Sequence, residues 1–184
     1  MGVYVSEWYG FEVESKRHLM DLLIEPSFSP AICSQFHEMA DGSYKVYYNF
    51  QPRWKEVTDA LKAYARQQNM DPSTKAVIAL DIAASAGVFK ALAPISSFSL
   101  DDKERSSVDE LYANELPATD EHHQGLDGHS FKLKIYKDNK ERFYESWCVT
   151  PLNWGSLRNL VSIVVDRLGL SYESYGAYIR KASS

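Results

Sequence analysis

The sequence predicts an α+β fold in which several helices pack around a small, mainly antiparallel sheet, with a C-terminal β-hairpin followed by two helices. Three observations predict it. Apolar residues recur at helical spacing through much of the first half of the chain. A strictly alternating segment, a turn and an aromatic-rich segment follow one another over 131–149. A leucine- and valine-rich helical stripe comes next. At 184 residues the chain fits one domain, 1–184.

The first forty residues predict a strand-prone start and two helices. Within Ser15 to Glu25, Leu19, Leu22 and Leu23 stand at helical spacing until Pro26 stops the pattern. Ser29 and Pro30, a cap and first-turn pair, announce a second helix that sets Ile32, Cys33, Phe36 and Met39 on one side before Gly42 ends it. "SYKVYYNF", Ser43 to Phe50, has the β-branched and aromatic content of a strand.

Pro52 opens a helix with Trp54, Val57, Leu61, Tyr64 and Ala65 as its apolar stripe and Lys55, Glu56, Asp59, Lys62 and Arg66 on its other faces. Asp71 and Pro72 begin an alanine-rich helix that ends before Pro94. Its apolar stretch, Ala76 to Phe89, is broken by Asp81 and is too short to span a membrane. At about 96–127 serines and acids become frequent and the periodicity weakens, which predicts an acidic loop or irregular insert.

"FKLKIYK" sets Phe131, Leu133 and Ile135 against Lys132, Lys134 and Tyr136, a strand with one buried face. "DNK" makes the turn and "RFYESWCV" returns. Asn153 then caps a helix with Leu157, Leu160, Val161, Val164, Val165 and Leu168 inward and Gly169 at its end. Ser171 opens a last short helix bearing Tyr172, Tyr175 and Ile179.

Composition narrows the function classes. Cys33 and Cys148 form no CxxC pair, so a thiolate zinc site is not indicated, and reduced thiols fit a cytoplasmic protein with no membrane role. The chain lacks GxxxxGK[ST], GxGxxG, GxSxG and HExxH, the usual handles of nucleotide binding, serine hydrolysis and zincin chemistry. A net charge of −5 with no basic run disfavours nucleic acid as a partner.

One pair and one lone acid are candidates for chemistry within predicted helices. Cys33 and His37, four apart, could meet on one helix face, although Cys33 also lies on the apolar stripe. Asp81 is the one acid in its apolar helix.

The segment "DEHHQGLDGH" offers metal-ligating atoms in His122, His123 and His129 with Asp127 or Asp120, the basis of a metal-dependent hydrolase alternative. Adjacent histidines and two glycines make a poorly organised ligand set, so no metal and no cofactor is expected. The same segment ends a charge run. Asp101, Asp102, Glu104, Asp109, Glu110, Glu115, Asp120, Glu121 and Asp127 face only Lys103 and Arg105, nine acids against two bases, which is −7 and leaves the remainder at +2. Such a patch steers a basic protein partner toward it. The first eight of these acids are the expected partner-binding residues, and no catalytic residue is assigned.

The order Asp-Gly, strand, turn, aromatic strand, proline and leucine-rich helix in "DGHSFKLKIYKDNKERFYESWCVTPLNWGSLRNLVSIVVDRLGL", Asp127 to Leu170, resembles small bacterial proteins that include immunity proteins of interbacterial toxin systems. The resemblance covers about a quarter of the chain and transfers no residue roles. It implies a small, acidic, cofactor-free binder whose acidic surface occupies the basic cleft of a toxin such as a nuclease. A non-catalytic adaptor fits the same features.

Overall fold

The computed structural model describes residues 2–5, 12–26, 29–51, 59, 62–63, 66–67, 69, 95–117, 129–147 and 153–175. Among them the dominant element is a six-stranded antiparallel sheet, not a small one surrounded by helices. Its strands are β3 (Arg17–Pro26), β4 (Ile32–Glu38), β5 (Tyr44–Phe50), β6 (Ser96–Ser99), β7 (His129–Lys137) and β8 (Lys140–Trp147), in the order β6-β5-β4-β3-β7-β8. A separate ribbon pairs β1 (Gly2–Val5) with β2 (Glu12–Ser15). The helices whose full course is described are α1 (Asp102–Ala113), α2 (Gly155–Arg167) and the single turn α3 (Tyr172–Tyr175).

The two helices predicted over Ser15 to Glu25 and from Ser29 to Met39 are the central strands β3 and β4. Both are covered on both faces, so residues 18–24 and 32–38 are buried without interruption. A strand of this kind loses the period-two signal, because no side is left to carry polar residues at alternate positions. The polar residues of β4 are themselves enclosed: Ser34, Gln35, His37 and Glu38. Gly42, at φ 82°, makes the turn between β4 and β5 instead of closing a helix.

The predicted irregular insert at about 96–127 is also corrected over its described part. Residues 96–99 form β6 and 102–113 form α1. Asp101 accepts from the Glu104 backbone N–H while the Glu104 carboxylate accepts from that of Asp101, so two of the orphan donors at the helix start are satisfied. Asp102 and Glu104 lie in the first turn, where their charge favours the helix dipole. At the other end no base lies in the last turn. Cations arrive from the hairpin: Arg142 donates to Tyr112 O and Asn114 O, and Lys137 to Ala113 O.

Several other expectations are met. β5 spans nearly the predicted segment. The β7–β8 hairpin turns at Asp138 and Asn139, whose positive φ of 53° and 59° suits a two-residue turn. α2 buries Leu157, Leu160, Val161, Val164 and Val165 as predicted. It starts after Trp154 with no side-chain cap, so Asn153 is not its N-cap. Gly169, at φ 60°, ends it, with Gly169 N–H on Asp166 O and Leu170 N–H on Val165 O. Asp59, Lys62 and Arg66 are helical and exposed, in keeping with the polar faces of the Pro52 helix. The alanine-rich helix with Asp81, and residues 118–128, 148–152 and 176–184, lie outside the described residues.

The register assigns the two sheet faces. Ile24, Ile32 and Phe131 align across β3, β4 and β7, as do Met20, Phe36 and Ile135. They form one core with Val108 and Leu111 of α1 and with the buried stripe of α2. Each fully buried aliphatic or Phe side chain there contributes about 1.5–3 kcal/mol. A register shift between His18 and Met20 inserts Leu19, so Leu19 and Met20 both enter this core while His18 pairs with His37 on the opposite face.

Candidate functional site

Two polar assemblies stand out, one inside and one outside. The inner one lies on the sheet face away from α1 and α2. His18 Nε2 meets Asp21 Oδ1 at 2.7 Å, and Tyr136 Oη donates to Asp21 Oδ2 at 2.8 Å. The His18 ring stacks on His37 at 4.6 Å between centroids and 8° between planes. His37 Nδ1 lies 2.8 Å from Ser15 Oγ and Nε2 lies 3.3 Å from Gln35 Oε1. With the Gln35 amide oxygen facing the ring, the proton belongs on Nε2, and Nδ1 is then the acceptor for the Ser15 hydroxyl. Burial, then the charge of His18, pushes His37 down to about 3 and keeps it neutral.

A hydroxyl, a neutral imidazole and an orienting amide in series have the order of an activated nucleophile. Ser15 and His37 are nevertheless completely enclosed, at 0% exposure each. The arrangement fastens β2 to β4 through buried hydrogen bonds. Sequence reasoning missed it because its members stand on β2, β3, β4 and β7. The sequence marks only His37, paired with Cys33, and on a strand those two lie two residue pairs apart along one face, too far to touch.

The outer assembly is α1. Six of the eight expected partner-binding acids lie on it or at its ends, and they divide into two groups. Glu104 binds the Arg167 guanidinium through both oxygens at 2.6 Å, with Asp101 at 3.3 Å from the same group. Asp109 accepts from Tyr44 Oη at 2.6 Å, and Arg105 covers the Tyr44 ring at 4.7 Å. Burial, then the Asp109 bond, pushes the Tyr44 hydroxyl up to about 12. These three acids serve the fold. Asp102, Glu110 and Glu115 are exposed, and the described residues give them no ion pair; the Glu110 carboxylate accepts a long bond from Ser156 at 3.4 Å. Asp120 and Glu121 lie outside the described residues.

Of the alternative metal set, His122, His123 and Asp127 lie outside the described residues. His129 begins β7, buried, with Nε2 against Ser174 O and its ring stacked on Phe131. Among the described residues no group of His, Cys, Asp and Glu could hold a metal ion, and no helix is long and apolar enough to cross a membrane. No protein family, curated protein or solved structure matches the chain.

Proposed function

We propose that this chain is a binding protein that receives a basic protein partner on the outward face of α1, most concretely as an immunity protein that neutralises a toxin. The observation that carries the reading is the trio Asp102, Glu110 and Glu115: exposed acids with no ion pair among the described residues, two of them on a helix fixed at both ends and Glu115 two residues beyond it. Fixing matters because charges displayed on a rigid element cost less ordering on binding than the same charges on a loop. Over 101–117 six acids face Lys103 and Arg105, a balance of −4, which Arg167 at one end and Arg142 and Lys137 at the other reduce to −1.

Charge reversal at Asp102, Glu110 and Glu115 tests this without touching the cap or the Tyr44 contact. A D102K/E110K/E115K variant should associate with the partner at least about tenfold more slowly at low salt and lose most of the salt dependence. Elemental analysis of protein purified without chelator supplies a second check. Zinc or manganese at one per chain, lost on substitution of His122 and His123, would point instead to the hydrolase.

A further inference from the structure

β8 is bordered by β7 on one side and by no described strand on the other. Because the turn at Asp138 and Asn139 holds two residues, Lys137 and Lys140 form a hydrogen-bonded pair, and such pairs alternate from there. Arg142, Tyr144 and Ser146 therefore turn their N–H and C=O groups toward β7. Glu141, Phe143 and Glu145 turn theirs outward. The side chains of these three residues and of Trp147 lie on the sheet face away from the helices, with Phe143 50% and Trp147 47% exposed.

An open edge with exposed aromatics is a template for strand addition. A second copy fits it poorly. The antiparallel register that sets Phe143 against Trp147 of the other copy also sets Glu145 against Glu145, a repulsive like-charge pair. Lys132, its cross-strand neighbour, lies 3.8 Å from Glu145 and 2.8 Å from Glu25, so one lysine is shared by two acids. A cation is thus wanted at that position, between two apolar ones. We propose that β8 receives an extended segment of a partner protein, antiparallel, with a basic residue opposite Glu145 and apolar residues opposite Phe143 and Trp147. This docking mode is independent of the acidic face of α1.

The test uses the full chain and the acetylated peptide Thr-Val-Thr-Lys-Thr-Val-Thr, with a version carrying Glu in place of Lys. Binding is followed through the backbone amide resonances of Glu141, Phe143 and Glu145. The lysine peptide should shift these resonances at millimolar concentration and bind at least about fivefold tighter than the glutamate peptide. Glu145→Lys should invert that order. Glu145→Pro removes an outward N–H that β7 does not use, so it should abolish binding of both peptides while the circular dichroism spectrum is kept. Should the proline variant not fold, the inversion by E145K decides alone. D102K/E110K/E115K should bind the peptide as the native chain does, which separates this docking mode from the α1 reading. The proposal is overturned if the lysine peptide leaves the three amides unshifted, if E145K does not change the order, or if the native chain sediments as a dimer that E145P dissociates.

Discussion

His37 sits between Ser15, Gln35 and the ring of His18 with its imidazole held neutral far below its ordinary range. In the unfolded chain the same group titrates near 6.5, so between about 6.5 and 3 the unfolded chain binds a proton that the fold excludes. Stability is then unaffected above pH 6.5 and falls as the pH drops through that window, by up to about 1.4 kcal/mol per pH unit. The urea midpoint should decline between about pH 7 and 4, and His37→Gln should flatten that decline; an unchanged slope would assign the acid sensitivity elsewhere. Asp21 supplies a second test at this scale. Tyr136→Phe takes the donor from its Oδ2 in a buried site and should cost about 1–3 kcal/mol of unfolding free energy. None of this network was legible in the sequence, because hydrogen bonds such as Ser15 to His37 and Tyr136 to Asp21 join residues far apart in the chain.

Elements differed in how openly they announced themselves. The hairpin and α2 were legible because each buries one side and leaves the other in water, so Phe131, Leu133 and Ile135 alternate and Leu157, Leu160, Val161 and Val164 recur at helical spacing. β3 and β4 were not, since residues enclosed on both faces carry no period and Leu19, Leu22 and Leu23 mimic a helix. α1 was hidden by its polarity: only Val108 and Leu111 are buried, and what holds the helix is its termini. The pairing of Asp101 with Glu104 three residues on was the available signal. Asp101→Ala should accordingly cost about 1 kcal/mol, measured by chemical denaturation, and more than Asp102→Ala, which removes no cap. Leu133→Ala, at the centre of the sheet, should cost about 2–5 kcal/mol.

At the scale of the whole molecule the sheet separates two environments. One face carries the apolar core and the helices α1 and α2. The other carries a buried polar layer and, at its β8 edge, Phe143 and Trp147. Of the acids expected to bind a partner, Glu104 and Asp101 are engaged by Arg167 and Asp109 by Tyr44, while Asp102, Glu110 and Glu115 are exposed. The proposed function has these three acids steering a basic protein onto α1. Its most direct test is the association rate with the partner recovered by pull-down, compared for the native chain and D102K/E110K/E115K at low and high salt. The expected result is association slowed about tenfold or more by the variant at low salt, with the two rates converging at high salt. Equal rates at low salt would contradict it.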